Sequence, residues 1–126
     1  MAKWHLRSNK KSSGGLLRAS KKKKRRERGG EDYYVCVGKL RKSKKIGFGN
    51  KQKLCLFSDN VVNAFDPKTK TSKKVKIMTV LENTANPHYV QRNIVTKGAV
   101  VQTELGKVKI TSRPGQDGIL NGIVIG

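Results

Sequence analysis

The uneven distribution of positive charge is the feature that most constrains how this chain can fold. The 126 residues carry 29 Lys and Arg against 8 Asp and Glu, a formal net charge of +21. Residues 1–53 hold 19 of the basic residues and 3 of the acids, whereas residues 54–126 hold 10 and 5. Such a charge opposes compaction of the isolated chain and attracts polyanions, above all a phosphate backbone. We therefore predict a nucleic-acid-binding segment attached to one folded domain.

Residues 1–30 read as the basic segment. They show almost no periodic apolar pattern, and they contain a Gly14–Gly15 pair and an unbroken basic run at 21–26. A segment of this kind cannot bury enough apolar area to offset its ordering entropy. We expect a long, extended basic arm that is disordered alone and becomes ordered on RNA. Taken by itself, the basic run is equally typical of a solvated tail or a localisation signal.

Aromatic and glycine residues among the basic residues favour RNA contact. Trp4 offers a face on which an unpaired base can stack, although it can also pack on its own domain. The glycine pair lets the backbone approach phosphates closely. The candidate RNA-binding residues of this segment are Lys3, Trp4, His5, Arg7, Lys10, Lys11, Ser13, Gly14, Gly15, Arg18, Lys21, Lys22, Lys23, Lys24, Arg25, Arg26 and Arg28.

The residue pattern changes after the basic segment, and residues 31–126 read as a series of short β segments. Strands are predicted at 33–37, 53–57, 61–65, 73–81, 99–103, 107–111 and 119–125, and a single helical turn at 86–92. In 73–81 the alternation places Val75, Ile77 and Thr79 on one face. Gly106 fits the positive φ of a hairpin loop. We predict an all-β fold, a small barrel of about six to eight short antiparallel strands, because closure removes exposed edges.

Three further groups of residues are candidates for RNA contact. The first is a basic loop at 41–53 at one end of the barrel, which is otherwise a solvated loop. The second flanks the helical turn, where Tyr89 is expected to face the core and a catalytic role would need an orienting carboxylate near His88. The third is a loop at 112–118, which is equally a tight connection between strands. The residues are Arg41, Lys42, Lys44, Lys45, Lys51 and also Lys53 in the first group, Arg92, Asn93 and Lys97 in the second, and Arg113 and Gln116 in the third.

Other function classes find little support in the sequence. The signatures of phosphate-binding loops, metalloproteases, serine hydrolases and dinucleotide-binding folds are missing. There is no apolar run near 18 residues, no apolar leader, and no lipidation motif for a polybasic membrane protein. Cys36 and Cys55 are expected to be small buried hydrophobic residues rather than a disulfide or metal site. We expect no enzyme activity, no cofactor, no metal, no small-molecule substrate and no membrane partner.

Several motifs resemble one family of small-subunit ribosomal proteins, the eighth of the eukaryotic-type series, which archaea and eukaryotes share. In the first part, Trp4, Arg7 and Lys10 precede Ser13-Gly14-Gly15, and Glu27-Arg28-Gly29 follows the basic run. The later matches are Asn86–Tyr89, Arg92–Ala99, Thr103–Lys107 and, most specifically, Thr111–Gly118. The chain departs from the family at Arg28, where Leu or Met is usual, and residues 31–49 have no counterpart that we can match.

The resemblance implies a structural protein of the small (30S) ribosomal subunit in translation, with a β-barrel and a long arm threaded into ribosomal RNA. The length is similar to that of the short archaeal form. Its partners would be small-subunit rRNA and other small-subunit ribosomal proteins, and its location cytoplasmic and ribosome-associated. From charge alone, a free-standing nucleic-acid chaperone or compacting protein is the alternative function.

Overall fold

The computed structural model describes residues 3–30 and 33–125. The chain divides into two compact units, Met1–Asp32 and Tyr33–Gly126. We call residues 3–30 the arm and residues 33–125 the body, and each is described on its own. Among the described residues, none of the helices has the length and apolar character needed to cross a membrane.

The arm doubles back on itself instead of running as a single extended segment. Its inner turn is closed by a hydrogen bond from the Leu17 N–H to the Asn9 carbonyl at 2.7 Å. Its outer ends are joined where the Gly29 N–H donates to the Lys3 carbonyl at 2.7 Å. Gly14, with φ of 82°, supplies the left-handed conformation of the inner reversal. No side chain of residues 3–30 is buried, so backbone hydrogen bonds rather than a hydrophobic core define this shape.

The body contains eight strands, as an all-β fold predicts. They are β1 Cys36–Val37, β2 Arg41–Ile46, β3 Gln52–Asp59, β4 Val61–Asp66, β5 Thr71–Glu82, β6 Val100–Thr103, β7 Gly106–Ile110 and β8 Asn121–Ile125. Two single-turn helices, α1 His88–Gln91 and α2 Pro114–Asp117, lie between β5 and β6 and between β7 and β8. The small-barrel prediction is confirmed.

Five of the strands form the closed barrel, in the order β4-β5-β6-β7-β8. Each strand runs antiparallel to its predecessor, but β8 closes the ring parallel to β4, with Ala64 opposite Gly122. The barrel has five strands, fewer than the predicted six to eight. The prediction of antiparallel strands is wrong for β1 and β3, which pair in parallel outside the barrel, and at the β4–β8 seam. The reason at the seam is parity, since alternating directions around an odd number of strands leave the closing pair parallel.

The other three strands form a separate sheet in the order β1-β3-β2. Segment 41–53, expected as a loop, is instead mostly regular strand. Strand β2 pairs with β3 from Arg41 opposite Ser58 to Ile46 opposite Gln52, and a 3-10 turn, Phe48–Asn50, connects them. We call residues 41–59 the basic hairpin. Its strands form because Lys side chains tolerate an exposed sheet face whose backbone is paired.

The core of the body is formed by side chains of the barrel strands together with residues of the second sheet and of the connecting segments. Buried side chains from every barrel strand except β8 contribute, among them Val62, Val75, Val101 and Val108. Leu56 of β3 belongs to the same cluster, which ties the basic hairpin to the barrel. Neither cysteine forms a disulfide. Cys55 is buried, whereas Cys36 is partly exposed.

Strand β5 departs from the predicted alternation. Val75 and Ile77 are buried as expected, but Thr79 is exposed and Val80 takes its place in the core. The pairing with β6 shifts register between Ile77 and Thr79. A bulge of this kind inserts one residue and moves the later side chains to the opposite face.

The two connections at 86–92 and 112–118 each contain a short helix. The turn at 86–92 is confirmed as α1, and the Asn86 carboxamide accepts the His88 N–H at 2.9 Å. Val90, not Tyr89, packs against the core from this turn. The 112–118 loop contains α2, which begins at Pro114 and ends at Asp117, and Gly118 caps it with φ of 71°.

Candidate nucleic-acid interface

The arm carries far more positive charge than it can neutralise. Its described residues include twelve Lys and Arg but a single acid, Glu27. The Lys21 ammonium contacts the Glu27 carboxylate at 2.8 Å. That hydrogen bond, followed by one from the Lys24 backbone N–H, holds the pKa of Glu27 below its ordinary 4.5. One ionised carboxylate leaves a strong excess of cations for an external anion.

The predicted arm residues lie mostly at its surface. Trp4 is the half-buried exception, and the Lys23 ammonium lies 5.5 Å from its ring centroid. Trp4 is thus held within the arm by its backbone bridge to Arg28. The exposed candidates are Lys3, His5, Arg7, Lys10, Lys11, Ser13, Gly14, Gly15, Arg18, Lys21, Lys22, Lys23, Lys24, Arg25, Arg26 and Arg28.

At the basic hairpin, two aromatic rings lie in contact between two cations, and one of the rings belongs to Tyr33, which precedes the hairpin in the sequence. The Lys45 ammonium lies 4.4 Å from the centroid of Tyr33, and the Tyr33 and Phe57 centroids are 5.0 Å apart at 79°. The Arg41 guanidinium lies 5.4 Å from the Phe57 centroid. Cation–π attraction therefore fixes two of the predicted RNA-binding side chains in place.

Like charges face each other across the hairpin. Lys45 lies directly opposite Lys53, a pairing that is unfavourable in an isolated sheet. No Asp or Glu occurs between residues 33 and 58, so this part of the chain offers no internal counter-charge. The other predicted cations of the hairpin, Lys42, Lys44 and Lys51, are exposed. The arrangement is one that a polyanion would stabilise.

A shallow cavity of the body brings together predicted residues that are distant in sequence. Lys97, Arg113 and Gln116 line a space of about 240 Å³ together with Tyr33 and Tyr34. The Arg113 guanidinium donates to the Gln116 side-chain oxygen at 3.2 Å. Two cations, a carboxamide and aromatic rings are the groups that hold a phosphate and a base.

Arg92 and Asn93 do not join this cavity. Arg92 ends α1 and is exposed. Asn93 adopts φ of 50°, its carbonyl accepts the Val37 N–H at 3.0 Å, and its carboxamide oxygen lies 3.4 Å from the Val80 N–H. These contacts give Asn93 a structural task in joining β1 and β5 to the α1 turn.

Aromatic residues beside the cations extend the interface beyond the predicted RNA-binding residues. Tyr33 and Tyr34 lie in the segment predicted as a strand at 33–37, and Phe48 lies in the predicted basic loop at 41–53. For Phe48 the sequence carries a signal, because lysines lie on both sides of it and no acid occurs from residue 33 to residue 58. Tyr33 and Tyr34 directly follow Glu31 and Asp32, so their sequence neighbours carry no such signal. Within residues 3–30 and 33–125, no group of three or more potential metal ligands comes together.

Comparison with known proteins identifies the family of this chain. The family model described as ribosomal protein S8e matches residues 4–125. The chain belongs to the ribosomal protein S8e family. The match confirms the resemblance carried by the sequence motifs, and it spans segment 31–49, which those motifs left unmatched.

Archaeal relatives of the S8e family are similar to this chain over about two thirds of its length. A protein of Picrophilus torridus is 51% identical over 86 residues, 68% of this chain and 69% of the relative. One from Methanosphaera stadtmanae is 52% identical, covering 71% of each chain. One from Methanococcus aeolicus is 55% identical over 67% of this chain and 65% of its own length. All three are named small ribosomal subunit protein eS8.

Proposed function

We propose that this chain is a structural constituent of the small ribosomal subunit that binds and stabilises small-subunit rRNA. The observation that carries the proposal is the uncompensated charge of the arm and the basic hairpin, in a member of a ribosomal protein family. The partners are small-subunit rRNA and other small-subunit ribosomal proteins, and the protein is cytoplasmic and ribosome-associated. No catalysis, cofactor or membrane contact is required for this role.

The mechanism rests on phosphate neutralisation. Charge draws the protein to RNA, the arm enters RNA crevices, and it bridges helices that would otherwise repel each other. The body anchors the arm. The basic hairpin and the cavity lined by Tyr33 and Arg113 make further contacts with the RNA. Phosphate contacts supply affinity, while RNA shape and a few stacked bases supply position.

Charge neutralisation in the full chain tests this function. One variant changes all six residues of the basic run 21–26 to Gln. The matched variant changes six lysines of the body that we do not assign to RNA, Lys68, Lys70, Lys73, Lys74, Lys76 and Lys107. Binding to small-subunit rRNA is measured over a salt series. If each residue of the run contacts one phosphate, the slope of log K against log salt falls by about 4 to 5.

The matched variant should keep a slope near that of the original chain, although its net charge is equally reduced. Equal losses in the two variants would mean that only net charge matters. That result would favour the alternative, a free-standing nucleic-acid chaperone or compacting protein. Sedimentation of lysate at moderate salt separates the two functions further, since only the ribosomal protein should co-migrate with small subunits in the presence of detergent.

A further inference from the structure

The tip of the basic hairpin has a fixed shape. The Gly47 N–H donates to the Lys51 carbonyl at 2.7 Å and closes the turn. Within it, Gly49 and Asn50 both adopt left-handed conformations, with φ of 67° and 57°. Glycine and asparagine are the residues that tolerate this conformation best. The turn is therefore a defined reversal, and its first residue, Phe48, is fully exposed.

The Phe48 ring is exposed and does not contribute to packing within the fold. It is 101% exposed, as much as in an extended chain, and Ile46 beside it is 78% exposed. Tyr33 and Phe57, by contrast, contact each other and the neighbouring cations. An aromatic ring held at a convex tip can offer a flat apolar face to a partner without any rearrangement of the protein.

The charges around Phe48 specify what kind of partner that is. Four lysines flank the turn, Lys44, Lys45, Lys51 and Lys53, and no acid occurs from residue 33 to residue 58. The partner must bring negative charge and a planar face together. An unpaired nucleotide has both, whereas a base inside a duplex has its faces covered by its neighbours.

We propose that the hairpin tip binds an unpaired nucleotide of RNA, with the Phe48 ring stacked on its base and the flanking lysines on its phosphates. This inference rests on the proposed rRNA-binding function and adds to it a site for a flipped or bulged base. The lysines supply salt-dependent affinity, and the ring supplies selection of unpaired over paired RNA.

The test uses the full chain and two RNAs, a duplex with a single-nucleotide bulge and the same duplex without it. Phe48→Ala should weaken binding to the bulged RNA by roughly 5- to 150-fold, the range found for loss of one stacked base. Binding to the plain duplex and the salt slope should stay unchanged, because no charge is removed. Phe48→Trp should retain binding to the bulge. Met78→Ala, at another exposed apolar position, serves as the matched control.

A 2-aminopurine placed in the bulge reports stacking directly, and its fluorescence quenching should be lost with Phe48→Ala. Phe48→Leu separates ring stacking from simple apolar contact and should bind as weakly as Phe48→Ala. The inference is overturned if Phe48→Ala binds the bulged RNA as well as the original chain, or if Leu replaces Phe without loss. A Phe48→Ala variant with normal RNA binding but poor retention on small subunits would assign the tip to a protein instead. Failure of the original chain to bind either RNA would count against the proposed function itself.

Discussion

Gly122 of β8 lies close against the neighbouring strand β7. A Cβ atom at this position of β8 would overlap the Val108 side chain and lie 2.9 Å from the Lys109 carbonyl oxygen. Both neighbours belong to β7, which pairs with β8 there. A side chain at 122 would therefore push the two strands apart at the seam where the barrel closes.

Gly122→Ala should accordingly destabilise the protein by about 1–3 kcal/mol, the usual cost of overpacking. Gly115→Ala is the matched control, because a Cβ there meets nothing within 4 Å, and it should leave stability unchanged or slightly raised. Urea unfolding of both variants measures the difference. Equal midpoints would show that the seam can relax around a methyl group.

Asp66 fixes the turn between β4 and β5 through its charge. The hydrogen bond from the Lys68 backbone N–H, followed by that from the Thr69 hydroxyl, lowers the pKa of Asp66 from its ordinary 3.8. A depressed pKa contributes stability that is present above the ordinary value and is lost as pH falls through the folded value.

The stability difference between the original chain and Asp66→Asn should therefore shrink as pH falls through the ordinary pKa of 3.8 and below it. The Asn variant keeps an acceptor for Lys68 but carries no charge to titrate. Urea midpoints of both proteins across this range provide the measurement. A difference that stays constant with pH would exclude a role for the ionised carboxylate.

At the scale of elements, two adjacent residues just before β8 lie in opposite environments. Leu120 is 1% exposed and belongs to the core cluster, whereas Ile119 is 45% exposed. Leu120→Ala should cost about 2–5 kcal/mol, because it leaves a cavity among well-packed neighbours. Ile119→Ala should stay within about 0.5 kcal/mol. Thermal and urea unfolding would distinguish them, and similar losses would show that this segment is not fixed in register.

Most strands could be predicted from the sequence because their signals are local. Alternation located Val75 and Ile77, and Gly106 predicted a hairpin. The bulge that exposes Thr79 could not be predicted, since it depends on the pairing with β6. The parallel closing pair likewise depends on the number of strands in the ring, which no local pattern records.

At the scale of the whole molecule, the core and the charge belong to different parts of the chain. All buried residues that form the core lie between Val35 and Leu120, and none lies in the described arm. Deleting residues 1–30 should therefore leave the body folded, with an unchanged circular dichroism spectrum and cooperative unfolding. The same deletion should strongly reduce rRNA binding and its salt dependence. Undiminished binding by the shortened chain would refute the proposed role of the arm.

Composition predicted where the charge lies, but not how side chains converge. Each of Lys97, Arg113 and Gln116 was a candidate from its own segment, yet their meeting with Tyr33 and Tyr34 depends on the tertiary fold. The doubling back of the arm was equally beyond reach, because it rests on backbone hydrogen bonds that leave no apolar pattern. The sequence alone does not distinguish Phe48 from the other aromatic residues, whereas its full exposure in the fold does.

The parallel β4–β8 seam sets an order of events during synthesis. Ala64 and Gly122 are 58 positions apart. One edge of β4 therefore stays unpaired until β8 has left the translating ribosome. The basic hairpin and the segment before it emerge well before that moment. A nascent chain therefore displays its cations while β8 is missing. An incomplete chain that ends just before residue 121 exposes the unpaired edges of β4 and β7, which invite aggregation.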